Sequence, residues 1–298
     1  MENRNRLVLV DGYAHIYRSY YAIRELTNGR DEPVNALYGM ARFLMKIDHT
    51  LPHDHGAVCM DKGRPKERLE LLPSYKGTRP PMPDPLRAQL PLIRDWIVAA
   101  GWPIVEEEGR EADDLIGAVA KVRDGKETYV VTHDKDLAQL VEQGVWLLLP
   151  GKKGESVRLD PSGVTEKFGV PPEAIPDYLA LIGDSVDNIP GVSGVGPKTA
   201  VALLSQFGSI DAMLEQADAI ERASLREKIR QSGDLLRRNM ELVGLDLRLP
   251  EGWGGLETVR RREPDWEALL SIARDHEFKS LVTALEQARY NARNPSLF

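Results

Sequence analysis

At 298 residues with 42% hydrophobic content, the chain is long enough for one large domain or two smaller ones around a sizeable core. No apolar run approaches the ~20 residues of a membrane-spanning helix, and Met1 to Arg6 leads straight into a strand-like run with no signal-peptide core. A net charge of −7 argues against a uniformly basic nucleic-acid binder, but setting aside nine candidate metal-binding carboxylates leaves +2 on the remainder, so the distribution of charge matters more than its sum.

The elements follow in chain order. Leu7–Val10 is a continuous apolar run ending in Asp11-Gly12, and Ala57–Met60 is another, ending in Asp61. The single cysteine, Cys59, lies in that second run and reads as a reduced core thiol of a cytoplasmic protein. Thr128–Val131 precedes Thr132-His133-Asp134, and Val145–Leu149 ends at Pro150-Gly151. Runs of this length suit strands buried on both faces, as in parallel sheets. Between them, helical spacing covers Ala36–Ile47, Leu86–Ala100 and Asp113–Val122. The alternation predicts an α/β fold, a mostly parallel central sheet flanked by helices, over residues 1–170. From about Pro171 to residue 290 the chain reads as a helical lobe. Its expected helices are Glu173–Ile182, Lys198–Phe207, Ile210–Gln216, Leu225–Gln231, Asp234–Leu245 and Asp265–His276.

In such sheets ligands bind beyond the carboxyl ends of the strands, where Asp11, Asp61 and Asp134 all fall. Aspartate also favours strand-ending turns, but three converge on one edge. Glu111-Ala112-Asp113-Asp114 opens a helix, where acids suit the dipole. Asp134-Lys135-Asp136 fits a helix cap, and Gly183-Asp184-Ser185-Val186-Asp187-Asn188 fits an Asx turn. Jointly these acids would repel one another unless cations shared them. Magnesium takes hard oxygen ligands, and two ions about 4 Å apart activate a water and stabilise the leaving oxygen of a phosphodiester. The sequence carries no Cys/His spacing for zinc, no Walker A loop and no Ser/His/Asp set.

Two segments suit a phosphate-rich partner. Gly191 to Ala200 joins two expected helices, with Gly194, Gly196, Pro197, Lys198 and Thr199 opening the second, so that free N–H groups face an anion. Residues 62–85 hold Lys62, Arg64, Lys66, Arg68, Lys76 and Arg79 with Tyr75 among them, then Pro80, Pro81, Pro83 and Pro85. Basic residues with an interleaved aromatic suit a single strand, by phosphate pairing and base stacking.

These residues resemble the 5′ nuclease domain at the N-terminus of bacterial DNA polymerase I and the related flap endonucleases, over about Arg6 to Leu285. The matching segments are Val10-Asp11-Gly12, Met60-Asp61, Tyr75-Lys76-Gly77-Thr78-Arg79, Glu111–Asp114, Asp134–Leu137, Gly183–Gly191 and Gly194–Ala200. The resemblance implies a PIN-like 5′ nuclease fold whose helical lobe carries a helix-hairpin-helix type (H3TH) motif. It implies a first metal site from Asp11, Asp61, Glu111, Asp113 and Asp114, and a second from Asp134, Asp136, Asp184 and Asp187. The implied ions are two Mg²⁺, with Mn²⁺ able to substitute, and a K⁺ at the hairpin near Val192 and Val195. Tyr75, Lys76 and Arg79 would stand in a helical arch at about 62–85 that admits the displaced strand. Arg18 matches the family's Tyr-Arg position, while Gly191, Gly194, Gly196, Lys198 and Thr199 would hold duplex phosphates. Met60 and Glu67 depart from the family's aromatic positions, in packing and on the arch surface.

The expected activity is two-metal hydrolysis of DNA at 5′ ends and 5′ flaps by a monomer, with Lys76, Arg79 and Arg18 stabilising phosphate charge. Alternatives are an RNA-cleaving nuclease on a similar acidic sheet, which would lack the hairpin lobe, and a non-catalytic DNA-structure-binding protein, which would not need the full acid set. A stand-alone bacterial nuclease is the favoured form. The tail at 291–298 ends Asn294-Pro295-Ser296-Leu297-Phe298, resembling the short peptides by which bacterial replication proteins bind the sliding clamp through a Leu-Phe pair.

Overall fold

The computed structural model of the protein describes residues 5–150 and 156–294. Six strands form the main sheet: β1 (Arg6–Asp11), β2 (His55–Cys59), β3 (Ile104–Val105), β4 (Glu127–Val131), β5 (Val145–Pro150) and β6 (Ser156–Leu159). Their order is β3-β2-β1-β4-β5-β6, and every pairing is parallel except β5 with β6. The continuous apolar runs are explained by this position. Leu7 and Leu9 enter the core on one face of the sheet, Val8 and Val10 the core on the other, and all four are fully buried. A side chain on either face of β1 therefore meets helices rather than water.

The helices of the first half are α1 (Gly12–Ala22), α2 (Asn35–Thr50), α3 (Lys66–Leu71), α4 (Asp84–Arg87), α5 (Leu90–Ala99) and α6 (Ala112–Lys121). The expected single helix over Leu86–Ala100 is thus two. Pro91 falls in the first turn of α5, where its missing N–H is tolerated but a continuing helix is not. At the joint, the buried Gln89 accepts from Ala36 N and Leu37 N at 2.9 and 3.1 Å, capping α2, and donates to Asn35 and to Pro85 O. Apolar periodicity cannot show a side chain recruited to cap another helix.

The second half carries α7 (Pro161–Phe168), α8 (Ile175–Ile182), a two-stranded ribbon of β7 (Gly183–Asp184) and β8 (Ile189–Pro190), then α9 (Pro197–Phe207), α10 (Ile210–Glu215), α11 (Ala223–Gln231), α12 (Gly233–Val243), α13 (Trp266–Asp275) and α14 (Lys279–Arg293). The helices of residues 171–290 serve two faces of the sheet. Helices α8 to α12 extend the core on the Leu7/Leu9 face, whereas Leu269, Leu270, Phe278, Leu281 and Leu285 of the last two helices and their connection join the core on the Val8/Val10 face. Among the described residues no helix is long and apolar enough to cross a membrane. Replacing Leu9, which is fully buried on the central strand, by Ala should destabilise the protein by about 2–5 kcal/mol in urea titration.

Candidate active site

Strand β1 is followed on one side by β2 and β3, and the chain then returns to lay β4 along its other side. The carboxyl ends of β1 and β4 therefore flank the point where strand order reverses, which is where open α/β sheets hold ligands. Asp11 ends β1, its Oδ1 accepting from Ala14 N at 3.1 Å and so capping α1. The buried Thr132 hydroxyl donates to Asp11 Oδ2 at 2.8 Å and accepts from Asp134 N at 2.9 Å, tying the ends of the two strands together. Asp61, just past β2, accepts from Ala112 N at 2.6 Å at the start of α6. Asp134 Oδ1 accepts from Asp136 N at 2.9 Å.

These carboxylates crowd one another in a partly buried space: Asp11 is buried, and Asp61, Asp113, Asp134 and Asp136 are half-buried. Burial, partly offset by the bonds from Thr132 and Ala14 and reinforced by Asp61 and Asp134, pushes Asp11 up to about 6. Burial, then Asp134 and Asp184, pushes Asp136 up to about 8. Asp61 is raised chiefly by burial, as is Asp134. Asp113 is raised well above the carboxylate range by burial and by Asp134 and Asp11. The Oδ1 atom of Asp136 is buried without a hydrogen-bond partner.

Cations from the 62–85 segment answer part of this charge. Lys76 Nζ pairs with Glu111, and Arg79 Nη2 with Asp187 at 2.5 Å. Burial alone would raise Glu111, but Lys76 and Arg68 outweigh it and hold it below its usual range. Lys135 does the same for Asp184 at 2.8 Å. The segment is not a regular helical arch. Apart from the short α3 and α4 it is a turn-rich strap folded onto the acidic edge, pinned where Lys76 N donates to Asp187 O at 2.9 Å and Asn188 Nδ2 to Ser74 O at 2.9 Å. Tyr75 is buried, its hydroxyl within 3.2 Å of Glu111 and 3.3 Å of Asp187. It braces two carboxylates and presents no ring for base stacking.

Asp11, Asp61, Glu111, Asp113, Asp134, Asp136, Asp184 and Asp187 thus share one neighbourhood, and Asp114 stands at its margin, joined to Glu111 through Arg68. Consecutive helical residues point about 100° apart. Asp114 turns to Arg68, which fills both its oxygens at 2.8 Å, and Oδ1 also accepts from Asp246 N at 2.9 Å. Arg18 rests against His133, with Nη1 2.9 Å from Nε2. Burial and that guanidinium lower His133 to about 4. Sequence reading missed Thr132, Lys135 as a partner of Asp184, and Arg68 as the partner of Asp114. Only the place of Thr132 and Lys135 beside Asp134 was a signal.

The hairpin after β8 places Gly194, Gly196 and Lys198 in solvent, with Thr199 half-buried. Gly194 has φ +81°, and a side chain on Gly191 would collide with the backbone at Ile182. Val192 and Val195 are buried beneath, and Gly196 and Pro197 open α9 with its N-terminus exposed.

Among the described residues no three His, Cys, Asp or Glu side chains already stand so as to hold a metal ion. Lys76, Arg68, Arg79 and Lys135 occupy oxygens that such an ion would take. The crowding weighs more: raised carboxylates and the unpartnered Asp136 oxygen fit hard divalent cations. A large cleft lies elsewhere, between α3 and residues 244–251, and of these acids only Asp114 borders it.

The family description "5′-3′ exonuclease, N-terminal resolvase-like domain" matches residues 6–169, and "5′-3′ exonuclease, C-terminal SAM fold" matches residues 170–267. The chain belongs to the 5′-3′ exonuclease family. Within it, the chain is 35% identical to the 5′-3′ exonuclease of Aquifex aeolicus over 295 residues, 98% of this chain and 99% of that one. It is 39% identical to the thermostable DNA polymerase I of Thermus filiformis over 285 residues, 94% of this chain but 33% of that protein, so it spans about a third of the polymerase. The fold is that of the T5 5′-exonuclease solved with zinc (TM-score 0.69, 20% identity, 95% of this chain and 98% of that one). It is shared by the catalytic core of Rad2 in complex with DNA substrate (TM-score 0.59, 15% identity, 94% and 92%).

Because Asp11 and Asp136 sit above their ordinary value of 3.8, their contribution to stability is complete below about pH 4. It is lost as pH rises through about 6 for Asp11 and about 8 for Asp136. Glu111 and Asp184 act in the opposite sense, but below their ordinary values of 4.5 and 3.8. In EDTA the contribution of the site to the urea midpoint should therefore fall from about pH 5 to about pH 8. Asp136→Asn should flatten the upper part of that fall, and millimolar Mg²⁺ should reverse it by binding the folded state.

Proposed function

We propose that the chain is a metal-dependent nuclease that hydrolyses DNA phosphodiester bonds at 5′ ends, nicks and 5′ flaps. The observation that carries this reading is the cluster of closely placed, partly buried and mutually raised carboxylates at the ends of β1 and β4, faced by Lys76 and Arg79. Asp11, Asp61, Glu111 and Asp113 would hold one Mg²⁺ and Asp134, Asp136, Asp184 and Asp187 a second, with Mn²⁺ able to replace either; Asp114 is committed to Arg68. When bound, two such ions lower the pKa of a water and neutralise charge at the scissile phosphate.

The protein's own groups do the rest. Lys76 and Arg79 are held at the acids by ion pairs, and an arriving phosphate competes for the same donors. Their charge then opposes the charge that develops on the phosphate oxygens. Arg18 guards the His133 side of the same edge. The duplex arm would lie on Gly191, Gly194, Gly196, Lys198 and Thr199, where exposed backbone N–H groups at the start of α9 suit phosphate oxygens. Carbonyls at Val192 and Val195 would take a K⁺. Structures of the T5 flap endonuclease with DNA and metal ions support this reading through the shared fold. The free, buried thiol of Cys59 suits a reducing, cytoplasmic compartment.

Incubation of 5′-labelled flap, nicked and single-stranded substrates with Mg²⁺, Mn²⁺ or EDTA tests the proposal. Cleavage near the 5′ end in either metal and none in EDTA is expected. Asp113→Asn or Asp134→Asn should abolish cleavage while DNA still binds, and full activity in either refutes the site. Lys76→Ala should lower kcat by roughly 10²–10³-fold.

The sliding clamp is a further proposed partner through Leu297 and Phe298, which lie outside the described residues. Deleting residues 294–298 should then weaken clamp binding and leave cleavage of short substrates unchanged.

A further inference from the structure

Arg68 spends every N–H it has. Its Nε donates to Leu242 O at 3.2 Å, Nη1 to Glu111 and to Asp114 Oδ2, and Nη2 to Asp114 Oδ1 at 2.8 Å and to Gly244 O at 2.9 Å. A guanidinium has five N–H donors, and all five are satisfied here with 12% of the side chain exposed. Three elements meet on it. It sits on α3 of the strap, Glu111 and Asp114 open α6, and the two carbonyls end α12.

The other end of that contact reaches the hairpin. Asn239, fully buried on α12, donates to Ala180 O at 3.0 Å and to Pro190 O at 2.8 Å. Pro190 ends β8, and the hairpin begins at the next residue. Two buried polar side chains, Asn239 and Arg68, thus link the hairpin to Glu111 through one helix. Arg68 touches the acids only at Glu111 and Asp114, and Asn239 touches none of them.

We propose that Arg68 is a positioning residue that couples duplex binding at the hairpin to the placement of Glu111. The inference rests on the nuclease reading above. Duplex phosphates gripping Gly194–Lys198 load the ribbon, Asn239 passes that load to α12, and the carbonyls at the end of α12 set the guanidinium that orients Glu111. A lysine keeps the charge but cannot reproduce the fork.

The coupling is read as a ratio of rates. The kcat/KM for a flap on a duplex arm is divided by that for a short single strand that cannot reach the hairpin. In the wild type the arm raises the rate. In Asn239→Leu the ratio should fall by roughly 5- to 150-fold, the usual range of coupling between two sites, while the single-strand rate stays within a few-fold. Arg68→Lys should lower the ratio similarly, and the double variant should show no further loss of it. A purely structural role lowers both rates together and overturns the proposal, as does an unchanged ratio. Should Arg68→Lys not fold, Asn239→Leu alone gives the same reading. Should the wild type cut neither substrate, the nuclease reading fails, and the coupling is still decided by hydrogen exchange in EDTA. There, added duplex should slow exchange of the 112–121 amides in the wild type and not in Asn239→Leu; no slowing in the wild type overturns it.

Discussion

Mutual repulsion among carboxylates at the ends of β1 and β4 is the constraint around which this fold is arranged. The strands bring Asp11, Asp61 and Asp134 together because parallel pairing aligns their carboxyl ends, and α6 adds Asp113 from the same side. Partial burial then limits the water that would screen them. Every neighbouring feature relieves part of that charge: capping N–H groups from α1 and α6, the Thr132 hydroxyl, and the ammonium and guanidinium groups of the strap. What these leave over, most visibly at Asp136, is what a divalent cation would complete.

Much of this was legible in the residues. Unbroken apolar runs ending in aspartate mark parallel strands and their functional edge together, because one geometry produces both. The glycines of the hairpin announced a close-packed turn, and the structure places backbone where any side chain on Gly191 would stand. The illegible parts share one property, that they depend on partners distant in sequence. Arg68 and Asp114 meet across 46 positions, Gln89 caps a helix that begins 54 residues earlier, and α13 and α14 cross to the far face of the sheet. Local periodicity carries no record of such meetings. Tyr75 was misplaced for the same reason: its basic neighbours suggested solvent, while its hydroxyl is drawn inward by Glu111 and Asp187.

The strap shows how a binding element can be rigid without regular structure. Its backbone is tied to the 184–188 turn, and its side chains pair with Asp187 of that turn and with Glu111 ahead of α6. Exposed pairs on the same surface, such as Arg248 with Glu67, add little by comparison, since water screens them.

Lys76 carries one more consequence. Its φ is +52°, in the left-handed region where glycine would sit at ease and a lysine is strained by roughly 1–2 kcal/mol. Gly77 follows immediately with no such demand on its backbone. The chain has therefore set its flexible residue one place away from where turn geometry asks for it and its ammonium where the chemistry asks. Shifting the pair by one residue would relax φ at position 76, bring a new Cβ at position 77 to 3.0 Å from Ser74 O, and empty the site. At this turn, folding preference and chemical purpose want different amino acids, and the chemistry has prevailed.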